Sequence, residues 1–214
     1  MSTANLSQFL PPEFLDLYEV HNYRHALEVL ATGCPVEFEE LVQSLLKFRF
    51  TTAEIVESGG NESKIPKLIA APLRPLGWYE TRINGDLIVK IHTHTDDGTS
   101  EDEKKIENFI DGHKVDFVKN QVAFDLEWNS KDQTFDRDLY AFRAFHEAGI
   151  ISAAVLLTRS AELNDVFQSL GVMRKYGAST TWMGKLLYRM NAGRNGGCPV
   201  LVLGIKKSLI TDWK

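Results

Sequence analysis

Two stretches toward the C-terminal end constrain the fold most. Residues 150–157 (Ile-Ile-Ser-Ala-Ala-Val-Leu-Leu) and 199–205 (Pro-Val-Leu-Val-Leu-Gly-Ile) are apolar almost throughout. Short runs without polar alternation are what strands covered on both faces look like. Residues 135–148 (closed by Gly149), 160–170 and 180–192 read as the covering helices. Upstream, 115–118 and 121–128 read as two further strands joined by Lys119-Asn120. The order strand, strand, helix, strand, helix, strand implies an α/β domain, a central mixed β-sheet flanked by helices.

The N-terminal part, about 1–58, reads as helical. Pro11-Pro12 followed by Phe14, Leu15, Leu17, Tyr18, Leu27 and Leu30 predicts a helix interrupted near His21-Asn22 and ending by Gly33. Pro35 opens a second helix, carried by Phe38, Leu41, Val42, Leu45 and Leu46. Gly59-Gly60-Asn61 is a breaker, and Pro66, Pro72 and Pro75 keep the next stretch in short pieces. Asn84-Gly85 signals a hairpin turn between 78–83 and 87–92, and Ile106, Phe109 and Ile110 suggest a short helix.

With 43% apolar and 25% charged residues, collagen-like, disordered and disulfide-scaffold classes are excluded. One domain over 1–214 is the default at this length. No apolar run reaches the ~18 residues of a membrane span, and the first residues lack a basic and apolar leader pattern. Cys34 and Cys198 are too few for a disulfide framework, which fits a reducing cytoplasm. The total charge of −5 hides an asymmetry: residues 166–214 carry Arg174, Lys175, Lys185, Arg189, Arg194, Lys206, Lys207 and Lys214 against Asp212 alone, a net of +7. Such a segment could form one basic face for a polyanion, or be ordinary solvated surface.

The chemistry concentrates in residues 115–129. On a strand over 121–128, Val122, Phe124, Leu126 and Trp128 share one face and Asp125 and Glu127 the other, roughly 7 Å apart at Cα. Asp116, on the preceding strand, lies beside them across a tight hairpin. Converging carboxylates need a cation, and Mg²⁺ takes oxygen ligands, usually one or two carboxylates plus water and phosphate. Such an ion polarises a phosphoryl oxygen and activates water. Spacing alone equally describes the wet face of an amphipathic strand.

Asp116, eight intervening residues, then Asp125-Leu126-Glu127 resembles the active-site hairpin of the BglII/BstYI-like type II restriction endonucleases, BamHI-related members of the PD-(D/E)XK superfamily. The resemblance extends upstream to Gly77-Trp78-Tyr79-Glu80-Thr81 and downstream to Cys198-Pro-Val-Leu-Val-Leu-Gly204-Ile205, preceded by a helix and Gly193-Arg194. It implies a restriction-endonuclease-like fold with its catalytic core at about 77–206. It also implies a homodimer that cuts double-stranded DNA at a short palindromic site with Mg²⁺, and a host methyltransferase protecting the same site. By carry-over, Asp116 and Asp125 hold the metal, and Asp116 bridges it to the scissile phosphate. Glu127 orients or deprotonates the attacking water, standing where the superfamily has Lys and these relatives Gln. Asp125 replaces the relatives' Glu, one methylene shorter. Glu80 is an accessory candidate.

Base and phosphate contacts need Arg, Lys, Asn, Ser or Thr on polar loops. Arg174, Lys175, Ser179, Thr180 and Thr181 form the first such loop, Asn129 and Lys131 the second, Arg194 and Asn195 the third; Asn61, Glu62 and Lys64 follow. Asp136-Arg137-Asp138 reads as helix-terminal acids and local ion pairing. A rival zinc site would use His92 and His94, but Asp97 stands where that hydrolase motif has its last histidine.

Overall fold

Three of six strands are buried along their whole length, and they order everything else. The computed structural model describes residues 6–57 and 63–213. The chain runs α1 (Pro12–Leu17), β1 (Tyr18–Tyr23), α2 (Ala26–Gly33), α3 (Pro35–Lys47), α4 (Thr52–Val56), α5 (Lys64–Leu73), β2 (Tyr79–Thr95) and β3 (Gly98–Lys119). It continues with β4 (Val122–Glu127), α6 (Thr134–Glu147), β5 (Ala153–Arg159), α7 (Leu163–Ser169), α8 (Met183–Asn191) and β6 (Val200–Ile205). The sheet order is β1-β6-β5-β4-β3-β2. β4, β5 and β6 are parallel neighbours, and the outer pairings are antiparallel, so the expected mixed sheet between helices is present.

The two faces have separate cores. Val122, Phe124, Leu126 and Trp128 pack with residues of α1 to α5 and α7. Ala123, Ala154, Leu156, Val200 and Val202 lie beneath α6 and α8. The predicted alternation along β4 is therefore correct, but neither side is wet: every residue of β4 is buried.

The N-terminal helix is corrected. His21 and Asn22 lie within β1, which pairs antiparallel with β6 over Tyr18↔Ile205 to Tyr23↔Val200. The pairing partner is about 180 residues away, so local periodicity carried no sign of it. The hairpin at Asn84-Gly85 is also corrected. β2 continues to Thr95 and reverses before Gly98, while Asn84-Gly85 falls where the ladder shifts register. The predicted helix around Ile106 is part of β3, where positive-φ Asn108 and Gly112 mark irregularities that break a strict period of two. Beyond its base this ribbon is largely solvent-exposed on both faces. Asn61 and Glu62 lie outside the described residues, and no helix among those described is long and apolar enough to cross a membrane.

Candidate active site

Asn120 adopts a left-handed conformation (φ 48°), which Asn tolerates and which lets β3 turn straight into β4. Lys119 donates to both Glu40 oxygens of α3 (2.6 and 2.7 Å), and the same carboxylate accepts from Trp78 Nε1 at 2.9 Å. The hairpin is thus anchored at its turn, with Phe117 stacked on Phe124 (centroids 5.7 Å apart).

One rung beyond Phe117↔Phe124, Asp116 faces Asp125. The Asp116 backbone N–H donates to Asp125 Oδ1 at 2.7 Å, and the Leu126 N–H donates to the Asp116 carboxylate. Asp125 is 4% exposed and Glu127 6%. Burial, then the Asp116 charge, pushes the Asp125 carboxyl well above the usual range. Asp116 opens toward a cleft, yet loss of water on its inner side, then the Glu127 charge, raises it too. Asp125 and Glu127 are therefore not acids on a solvated strand face.

α6 brings a residue that sequence reading assigned to the helix end. Asp138 is 1% exposed and stands on the inward stripe with Phe135, Phe142 and Phe145. Burial, then the charges of Asp125 and Glu127, pushes its carboxyl up to about 9. Its spacing of three from Phe135 and four from Phe142 was the available signal. Arg137 Nη2 lies 2.9 Å from Asp138 Oδ1 and 3.5 Å from Glu127 Oε1, the cation that offsets this acidic group. Asp136, by contrast, pairs with Arg189 and Arg194, as helix-end ion pairing predicts.

A cleft of about 500 Å³ runs beside Asp116, with Phe117, Leu126 and Glu80 on one wall and Pro66, Lys67, Ala70, Ala71 and Arg74 on the other. Glu80 sits at a register shift in β2, and Lys114 donates to it at 2.7 Å. Sequence reading missed Lys67 and Arg74, because only the packing of α5 and the turn that follows it brings them opposite the acids.

The structure separates the remaining candidates. The loops carrying Asn129, Lys131, Ser179, Thr180 and Thr181 are zipped together: Asp132 N–H donates to Ser179 O at 3.0 Å and Thr181 N–H to Ser130 O at 2.9 Å. Buried Arg159 holds the second loop, donating to Thr181 O at 2.7 Å and to Thr180 Oγ1. Lys131 and Ser179 are exposed there, whereas Thr181 is buried. Arg174 is exposed nearby. Lys175 is engaged in the fold, donating to Ile55 O at 3.0 Å and to Glu57 O. Asn195 is buried and closes its own loop onto Cys198 O at 2.7 Å, and Arg194 is paired to Asp136. The +7 segment is thus not one open basic face, since Lys185, Arg189 and Arg194 meet Asp132 and Asp136.

Mg²⁺ can be tested against the donors present. Among the described residues no group of three or more acidic, His or Cys side chains is gathered to hold an ion by itself, the His92/His94 pair included. Mg²⁺ needs only one or two carboxylates besides water and phosphate. Glu127 Oε2 and Asp138 Oδ2 are buried without a hydrogen-bond partner, and the oxygen-only donor set suits a hard cation. The residues fit the ion.

No curated protein matches the chain. Residues 18–205 match the family described as Restriction endonuclease BglII/BglIII, which takes in β1, the acidic hairpin, α6 and β6. With most of its length matched, the chain belongs to the BglII/BglIII restriction endonuclease family and is a type II site-specific deoxyribonuclease.

Proposed function

We propose that this enzyme hydrolyses double-stranded DNA with Mg²⁺, through Asp116, Asp125 and Glu127, at a short palindromic site. The observation that carries the reading is the acidic pair itself, Asp125 buried and hydrogen-bonded to the Asp116 backbone at the edge of a cleft. Arg137 alone offsets these carboxylates only in part, so a divalent cation entering beside them is the natural complement of the arrangement. When bound, Mg²⁺ supplies charge neutralisation, polarisation of the phosphoryl oxygen and a more acidic water.

The chain's own residues do the rest. Asp116 and Asp125 are the metal carboxylates, and Asp116, the one open to the cleft, also meets the scissile phosphate. Glu127 accepts a hydrogen bond from the attacking water and aligns it with phosphorus. Lys67 and Arg74, across the cleft, meet backbone phosphates, and Glu80 lies beside the same phosphate path. Lys131, Arg174, Ser179 and Thr180 present donors on the adjoining loops, with Asn129 at their base. Each chain offers one acidic hairpin and a duplex has two scissile strands, so a homodimer acts. The whole of 1–214 works as one endonuclease domain in the cytoplasm, and a methyltransferase marks the same site in the host.

The test is digestion of a plasmid library followed by end mapping. Mg²⁺ should produce discrete 5′-phosphate ends at one palindrome, EDTA should abolish them, and Asp116→Ala should bind DNA in Ca²⁺ without cutting. Undiminished cutting in EDTA, or by Asp116→Ala, refutes the reading.

A further inference from the structure

The inward side of α6 holds a carboxylate that the hairpin chemistry does not use. Asp138 Oδ1 accepts from Arg137 Nε at 3.1 Å and Nη2 at 2.9 Å, while its Oδ2 is buried with no partner. The same guanidinium reaches Glu127 Oε1 at 3.5 Å, and Glu127 Oε2 is likewise buried without a partner. Two elements therefore present unsatisfied carboxylate oxygens beside one shared guanidinium. A helix-terminus role does not explain Asp138: it lies past the first turn of α6, where Asp136 already fills that role. A buried oxygen left unmatched is expensive and persists where another group completes it. The Arg137 side chain, in contrast, is 63% exposed and can leave its place toward solvent.

We propose that Asp138 is a supporting carboxylate behind the cation site, not one of its direct ligands, and that Arg137 is its displaceable counter-ion, lodged between Glu127 and Asp138 until a divalent cation enters. The inference rests on Asp116 and Asp125 being the metal carboxylates. Four acids against one guanidinium carry a net of −3 when all are ionised. A divalent ion neutralises more of that charge than the single charge of Arg137 does, and it does so with short oxygen contacts.

The experiment measures Mn²⁺ binding to the full-length chain by electron paramagnetic resonance, without DNA, for wild type, Asp116→Asn, Asp138→Asn and Arg137→Gln, each checked for folding by circular dichroism. Asp138→Asn should weaken Mn²⁺ binding about 10- to 100-fold, the usual loss when a supporting carboxylate of a metal site is removed. Arg137→Gln should tighten it about threefold, the worth of one half-exposed ion pair no longer competing. Wild-type affinity in Asp138→Asn overturns the supporting-carboxylate role, and wild-type or weaker affinity in Arg137→Gln overturns the counter-ion role. Should Asp138→Asn not fold, Asp138→Ser takes its place and Arg137→Gln still decides its half. No Mn²⁺ binding by wild type would instead strike the metal reading itself, as would full binding by Asp116→Asn.

Discussion

Asp138→Asn should make the metal-free protein more stable, and the size of the effect follows from its surroundings. The carboxyl is pushed up to about 9 by burial and by Asp125 and Glu127, against an unfolded value of 3.8. Below pH 4 it is protonated in both states and folding bears no penalty. As pH rises from 4 toward 9, the unfolded chain ionises freely while the folded one must hold its proton, so stability falls by about 1.4 kcal/mol per pH unit. At pH 7 the penalty reaches up to about 4 kcal/mol. Asparagine keeps the shape and the acceptor for Arg137 but has no proton to hold. For a chain of this size each kcal/mol moves the midpoint by roughly 2–4 °C, so the variant should melt roughly 10 °C higher at pH 7. The gap should close toward pH 4 and widen toward pH 8. Differential scanning calorimetry in EDTA across that range reads it. A variant that melts at or below wild type at pH 7, or a gap that does not change with pH, would mean that the buried Asp138 carboxyl carries no such penalty.

Two further outcomes test the site's supports. Glu40→Ala removes the acceptor shared by Lys119 and Trp78 and should lower stability by about 1–3 kcal/mol in urea unfolding, with hydrogen exchange rising at the 119–122 turn. Arg74→Ala should weaken Ca²⁺-supported DNA binding evenly across sequences and lower the salt slope by about 1, measured by fluorescence anisotropy.

Much of this fold is legible from residues alone. The runs at 150–157 and 199–205 read as strands covered on both faces, and most of each is one, at Ala153–Arg159 and Val200–Ile205, while Lys119-Asn120 between two alternating segments marks a hairpin whose turn needs a left-handed residue. What stayed hidden depended on distant partners. Tyr18–Tyr23 is a strand because β6 lies beside it, and nothing within those six residues says so. The ribbon of β2 and β3 misled because irregularities at Gly85 and Asn108 disturb the alternation, and because solvent on both faces leaves register unconstrained by burial.

The site follows the same division. Asp116, Asp125 and Glu127 were visible as a spacing, but the burial of Asp125 and Glu127 was not, since it comes from α6 lying across the hairpin. Asp138 read as a helix-end acid in a local ion pair; the pair with Arg137 is there, but its helical position is a core one. The +7 count concealed pairing, because Asp132 and Asp136 fall outside that segment and meet its arginines only in three dimensions.

The most direct measurement is anomalous diffraction from crystals of the enzyme bound to duplex DNA and soaked in Mn²⁺. A peak is expected within coordination distance of carboxylate oxygens of both Asp116 and Asp125. A peak elsewhere, with these two carboxylates holding no ion while DNA lies in the cleft, would contradict it.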